Sequence, residues 1–206
     1  TLLLFSSAFP LESKQFSGDR NLVLLKEQLK ELQNCLSDES AKVRATAAKS
    51  VCRVLYEWWE LFENKIDENS SSARNVFIRF LTEELCFDTT SPAVRTSVIE
   101  GIDYLIGRYE SIELILPHLP KMGNLLHDPV ESVRLQFIKL LTTLNPLSDI
   151  NIFTIVHIDH LIYRLKNDSQ KVASAICELL QPSIFPPPST KGKERTCNTK
   201  RVARCI

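Results

Sequence analysis

Residues 127–141 read HDPVESVRLQFIKLL, and a similar phrase occurs three more times in the chain. The other copies are SDESAKVRATAAKSV at 37–51, FDTTSPAVRTSVIEGI at 87–102 and NDSQKVASAICELL at 167–180. Each copy opens with a polar turn and continues into an apolar run. Self-similarity of this kind predicts a repeat architecture, in which each unit buries its apolar face against the next.

The four copies align on Val43, Val94, Val133 and Val172, which lie 51, 39 and 39 residues apart. The longer first interval contains ENKIDENSSS at 63–72, which is polar, rich in serine and without apolar periodicity. That composition predicts a loop. We therefore predict one repeated unit with a single insertion.

Each copy carries the marks of a turn followed by a helix. Asp38, Asp88, Asp128 and Asn167 lie five or six residues before the valines, and such residues are predicted to cap helix N-termini. Apolar residues then recur every three or four positions, which indicates an amphipathic helix. A preceding helix is predicted in each unit, at 20–35, 73–86, 110–127 and 154–165.

The predicted organisation has three parts. Residues 1–19 form an N-terminal extension, and the missing initiator Met suggests a fragment of a longer chain. An array of helix pairs occupies 20–181, in the blocks 20–62, 73–108, 110–145 and 154–181. Residues 182–206 are a proline-rich stop and a basic tail, predicted to be disordered. The tail's basic residues are candidates for DNA contact or a nuclear import signal: Lys191, Lys193, Arg195, Lys200, Arg201 and Arg204.

Composition supports a helical protein and few other classes. The 206 residues have zero formal net charge, 44% hydrophobic content and only 5 glycines. Zero net charge gives no overall reason to expect nucleic acid. The 6 cysteines form no CxxC pair, so reduced thiols are expected. No signal peptide or membrane span is predicted.

No catalytic motif is present, and the sequence predicts neither an enzyme nor a bound cofactor. The chain lacks a phosphate-binding glycine loop, a GxSxG turn and an HExxH helix. His157 and His160 share a helix face, but a zinc site needs three or four ligands, so a metal is not expected. For Trp58 and Trp59, adjacent on a helix, we expect one to lie in the core. The other either packs against the next repeat or anchors a partner.

The repeated phrase resembles the HEAT repeat, whose signature is an acidic residue, four spacers, Val-Arg and an apolar helix. The runs Asp38–Arg44 and Asp128–Arg134 match it fully. In this family the acidic residues and arginines of successive repeats form a ladder along the inner turns. The resemblance implies that role for Arg44, Arg95 and Arg134, with Pro120 bending a first helix. The fourth copy has Ala173 in place of arginine. The fold implied is an all-α solenoid of about four helix pairs.

A closer resemblance, over 80–185, is to the HEAT region of the G-type subunit of condensin II. It is carried by LTEELCFDTTSPAVRTSV at 81–98, ILPHLPKMGNLLHDPVESVRLQFIKLL at 115–141 and HIDHLIYRLKNDSQKVASAICELLQPSIFP at 157–186. The resemblance implies a non-catalytic nuclear scaffold in mitotic chromosome condensation. Its implied partners are a kleisin, the SMC ATPase pair bridged by that kleisin, and DNA. No membrane or small-molecule partner is implied. The alternative is a HEAT-repeat transport adaptor that binds protein cargo.

Overall fold

The computed structural model of the chain describes residues 8–10, 18–62, 73–147 and 150–184. Helices dominate these ranges, and the described residues contain no strand. The α-helices are α1 (Gly18–Leu36), α2 (Ala41–Glu57), α3 (Trp59–Leu61), α4 (Ala73–Glu83), α5 (Pro92–Ile106), α6 (Tyr109–Ile115), α7 (Leu119–Met122), α8 (Glu131–Leu144), α9 (Ile152–Ile155), α10 (Ile158–Asn167) and α11 (Gln170–Ile184). The 3₁₀ helices are Leu85–Phe87, Leu116–His118 and Gly123–His127.

The predicted all-α fold of the HEAT-repeat type is confirmed. Each copy of the repeated phrase supplies one of the long helices α2, α5, α8 and α11. The loop predicted at 63–72 and the basic tail beyond residue 184 lie outside the described residues. In the described ranges, no helix is long and apolar enough to cross a bilayer.

Two of the predicted first helices are discontinuous. The segment predicted as one helix at 110–127 consists of α6, α7 and two 3₁₀ helices. Pro117 and Pro120 account for this break, because proline removes a backbone donor and clashes with the preceding turn. The prediction of a continuous helix at 154–165 was wrong, since extended backbone at Val156 and His157 separates α9 from α10.

The chain divides into two compact units, Thr1–Met122 and Gly123–Ile206. In the first unit, α2 packs along α5 in the most extensive helix contact, and α1 packs on α2. A Cβ atom built on Gly101 of α5 would lie 2.7 Å from Cys52 Sγ and 3.5 Å from the carbonyl oxygen of Ala48. Glycine at this position therefore leaves room for the Cys52 side chain between the two helices.

The second unit is centred on α8 and α11, with α10 packed against α11. The apolar residues predicted to line one face of α8 are fully buried, including Phe137 and Leu144. A Cβ atom on Gly123 would collide with the carbonyl oxygen of Ile155 at the end of α9. Glycine is thus required where the 3₁₀ helix Gly123–His127 passes α9.

The tryptophan pair divides between core and surface. Trp59 is 3% exposed, whereas Trp58 is 38% exposed. Helix α2 ends at Glu57 because the backbone of Trp58 leaves the helical region, with φ −118° and ψ 26°. This turn directs Trp59 inward, where the guanidinium carbon of Arg74 lies 4.8 Å from its ring centroid.

Four of the six cysteines lie in the described ranges, and all four are free thiols. Cys52 and Cys86 are buried in the first unit. Burial raises the pKa of the Cys52 thiol to about 12 and raises that of Cys86 further. Such thiols are unreactive while the unit is folded, because the thiolate is the nucleophile.

Candidate functional site

Arg44 of α2 joins the turn before its own helix to the turn before α5. Its Nη1 donates to the carbonyl oxygens of Asp38 at 2.8 Å and Glu39 at 3.0 Å. Its Nε donates to Asp88 Oδ2 at 2.9 Å, and Nη2 donates to Thr90 Oγ1 at 2.5 Å. The side chains of Arg44 and Asp88 are 11% and 7% exposed, so the pair is largely removed from water.

Arg134 of α8 makes the corresponding contacts in the second unit. Its Nη1 donates to the carbonyl oxygens of Asp128 at 2.7 Å and Pro129 at 3.0 Å. Its Nη2 donates to Asp168 Oδ1 at 2.6 Å. Arg164 Nη1 donates to the other oxygen of Asp168 at 3.4 Å. Each arginine therefore holds its own turn and the carboxylate of the following turn at once.

Arg95 of α5 makes the same contact to the turn before its own helix. Its Nη1 donates to the carbonyl oxygen of Asp88 at 2.7 Å, and its side chain is buried. Arg44, Arg95 and Arg134 thus each bind the backbone of the aspartate six or seven residues earlier. We call this set of arginines and turn aspartates the Asp-Arg ladder.

The turn aspartates act differently from the capping role predicted for them. The N-cap residues are Ser40 for α2, Ser91 for α5 and Val130 for α8, and none of them makes a side-chain cap. Asp38 and Asp128 instead accept from the backbone N–H two residues later, at 2.7 Å and 2.8 Å. The aspartates therefore close the turn before the helix, because they lie two or three residues before its N-cap.

In the fourth copy, the ladder uses Asp168 and not the predicted Asn167. Asn167 is the last residue of α10, is exposed, and donates to the carbonyl oxygen of Tyr163 at 2.9 Å. Asp168 accepts from Arg134 and from the N–H of Ser169 at 2.8 Å. A carboxylate forms an ion pair with the guanidinium, whereas asparagine would offer only a neutral carbonyl oxygen as acceptor.

Hydrogen bonding favours the ionised form of Asp88 and of Asp168. Burial alone would raise the pKa of Asp88, but bonds from Thr90, Arg44 and Ser91 outweigh it and lower that pKa. Burial likewise opposes ionisation of Asp168. Interactions with Arg134, the Ser169 N–H and Arg164 outweigh that effect, so the pKa of Asp168 is also lowered. These shifts favour the charged, paired form of each rung.

The apolar signature residues serve packing. Val94, Val133 and Val172 are fully buried, whereas Val43 is partly exposed. Pro120 is exposed and lies in the short helix α7, within the broken segment. These positions shape the repeats and present no chemical group to a ligand.

An exposed aromatic surface lies at the C-terminal ends of α2 and α5. The rings of Tyr56 and Tyr104 are 4.6 Å apart between centroids, and Tyr104 is 48% exposed. Tyr109 is 67% exposed, and Arg108 Nη1 donates to the carbonyl oxygen of Tyr56 at 3.0 Å. We use the name aromatic surface for Tyr56, Tyr104 and two exposed side chains close to them in sequence, Trp58 and Tyr109. Of these residues, only Trp58 was singled out from the sequence. The tyrosines were not, because Tyr56 and Tyr104 belong to helices that pack together but are far apart in sequence.

The histidines considered as metal ligands are arranged differently from the sequence interpretation. His160 Nδ1 lies 2.8 Å from Nε2 of His127, which is 33 residues earlier. His157 caps α10 by accepting from the N–H of Asp159 at 3.3 Å. Across the described ranges, no group of three or more His, Cys, Asp or Glu side chains could hold a metal ion.

Comparison with known proteins adds to this geometry. The HEAT repeat family matches residues 29–57, which include the first turn of the ladder. Condensin-2 complex subunit G2 of Danio rerio is 31% identical over 184 residues, which cover 89% of this chain and 16% of that relative. The subunits of Mus musculus and Homo sapiens are 29% and 28% identical over the same shares. The chain resembles the condensin II G-type subunit. The resemblance predicted for 80–185 is confirmed, and it extends over most of the chain.

The chain thus corresponds to about one sixth of the length of these G2 subunits. No solved structure matches the chain. Arg44, which belongs to the segment matched by the HEAT family, also forms a complete rung of the ladder in the structure.

Proposed function

We propose that this chain is the HEAT-repeat part of a condensin II G-type subunit and acts as a non-catalytic scaffold. The observation that carries the proposal is its similarity to condensin-2 complex subunit G2 over 89% of its length. The ladder supports it, because its arginines and aspartates hold successive repeat turns together. A scaffold of this kind acts by binding other chains.

The proposed partners are a kleisin and, through it, the SMC ATPase pair, with DNA engaged in the full complex. The proposed location is the nucleus, on chromosomes in mitosis. The aromatic surface supports protein binding, since exposed tyrosine and tryptophan beside arginine is the side-chain composition of interface hot spots. Trp58 and Tyr104 are the residues of this surface that we would alter first.

The test is an affinity capture with the full 206-residue chain from mitotic nuclear extract, read by mass spectrometry. Recovery of a kleisin with the SMC pair supports the proposal. A Trp58→Ala/Tyr104→Ala variant is expected to lose that recovery at least tenfold. A matched control is Val23→Ala, an exposed apolar residue on α1 that lies outside the aromatic surface. Equal recovery with both variants would exclude the aromatic surface as the kleisin site.

The alternative function is a HEAT-repeat transport adaptor that binds protein cargo. The same capture distinguishes the two, because recovery of transport factors and cargo without SMC chains would favour the adaptor. Failure to recover any partner, with the chain folded by circular dichroism, would argue that the kleisin site needs the remaining length of the subunit.

We propose further that DNA affinity of this chain depends on its basic tail. The tail carries six lysines and arginines between 191 and 204 against Glu194 alone. Each phosphate neutralised adds roughly 0.9 to the slope of log affinity against log salt for duplex DNA. Deleting residues 189–206 should therefore lower both affinity and slope. An unchanged slope would place the basic surface on the folded repeats.

A further inference from the structure

His127 and His160 form a hydrogen-bonded pair on the surface of the second unit. His127 Nε2 and His160 Nδ1 are 2.8 Å apart, and the rings meet edge to face with centroids 4.8 Å apart. His127 ends the 3₁₀ helix Gly123–His127, and His160 lies in the first turn of α10. A hydrogen bond between two ring nitrogens requires that one of them carries no proton.

Arg164 determines the direction of this bond. Its Nη2 lies 3.3 Å from His127 Nδ1, and a guanidinium can only donate. His127 Nδ1 is therefore the acceptor, and the ring proton of His127 is on Nε2. His127 donates that proton to His160 Nδ1, which must therefore be unprotonated. Each ring thus has one nitrogen that accepts a hydrogen bond, so both imidazoles are neutral in this arrangement.

The pair is connected to the Asp-Arg ladder. Arg164 Nη1 donates to Asp168 Oδ2 at 3.4 Å, and Asp168 Oδ1 accepts from Arg134 at 2.6 Å. A continuous path of hydrogen bonds thus runs from the exposed histidines, through Arg164, to the buried rung that joins the turns before α8 and α11. Charge changes at the histidines act directly on a member of this path.

We propose that His127 and His160 form a proton-operated latch, which holds α10 on the 3₁₀ helix Gly123–His127 when neutral and releases it when protonated. A proton added to His127 Nδ1 removes the acceptor for Arg164 and sets two cations side by side. A proton added to His160 Nδ1 removes the acceptor for His127. Either event breaks the path at the latch.

The charges around the latch favour the neutral form. Arg164 on α10 contacts His127 directly, Asp168 contacts Arg164 from the following turn, and Arg134 on α8 neutralises Asp168 from the other side. Burial, then Arg164, then His160 lower the pKa of His127. The open state binds the proton more readily, so the latch is intact above roughly pH 6.5 and weakens as the pH falls through the lowered pKa of His127.

The first measurement is a histidine ring NMR titration of the full chain from pH 8 to 4.5, with amide hydrogen exchange at pH 7.5 and 5.5. His127 is expected to titrate below its ordinary midpoint. Exchange in 158–164, corrected for intrinsic rates, is expected to rise by up to roughly tenfold for each pH unit of that depression. A His127 midpoint at or above its ordinary value would overturn the proposal.

The variant His127→Gln separates the latch from general acid sensitivity. Glutamine keeps an acceptor and a donor but cannot take up a proton near neutral pH, so the pH-dependent rise in exchange should shrink in His127→Gln and disappear in His127→Gln/His160→Gln. The matched control is His157→Asn, which changes a neighbouring exposed histidine and keeps a capping side chain. The control should behave as the natural chain does. If both variants keep the pH-dependent rise, His127 is not the proton sensor.

Discussion

Replacing Arg134 with alanine tests whether the ladder stabilises the repeats. Arg134 makes three hydrogen bonds, to two turn carbonyls and to Asp168, and the two side chains are 11% and 3% exposed. Removing one partner of a buried pair costs roughly 3–5 kcal/mol. Asp168 keeps bonds from Arg164 and Ser169, so the lower value applies. We expect Arg134→Ala to lower the free energy of unfolding by about 3 kcal/mol.

Urea unfolding followed by circular dichroism measures this loss, and hydrogen exchange locates it. The exchange protection of α8 and α11 should fall together. The matched control is Lys139→Ala, which removes an exposed basic side chain from the same helix and should change stability by at most about 0.5 kcal/mol. A loss below about 1 kcal/mol for Arg134→Ala, the upper value for a surface ion pair, would refute the ladder's stabilising role.

Three further predictions follow from contacts in the two units. Gly101→Ala should lower stability by roughly 1–3 kcal/mol through its clash with Cys52 Sγ, as measured by urea unfolding, and Cys52→Ala should restore most of the loss. The lowered pKa of Asp168 stabilises the fold above roughly pH 3.9 and ceases to do so as the pH falls through it, so Asp168→Asn should flatten the acid unfolding curve there. An unaltered acid curve would contradict this. Maleimide labelling, read by peptide mass spectrometry, should modify exposed Cys177 in the native chain and Cys52 only after unfolding.

The ladder could be anticipated because the local pattern of aspartate and arginine resembles the HEAT signature, and that resemblance implies a ladder. Arg44 and Arg134 follow their aspartates at a fixed interval, and the turn geometry brings each guanidinium back to the backbone of that aspartate. The residue of the following turn that pairs with Arg134 could be predicted only as an acidic or amide residue near a fixed position. Asn167 satisfied the spacing, but Asp168 supplies the charge that the guanidinium requires.

The remaining features depend on contacts between distant segments. His127 and His160 are 33 residues apart, and nothing in either segment indicates that their rings meet. The aromatic surface likewise arises where Tyr56 and Tyr104 come together from two helices. The break before α10 was missed because apolar residues continue on both sides of it, as Ile155, Val156 and Ile158. Periodicity cannot distinguish a continuous helix from two helices joined by an extended link.

The double engagement of Arg44 and Arg134 has a consequence for cooperativity. Arg134 binds its own turn through Nη1 and the carboxylate of the following turn through Nη2. One guanidinium therefore stabilises both turns. Melting either turn releases the anchor of the other. Within each unit, such a shared anchor couples the unfolding of the two neighbouring helix pairs that the arginine joins.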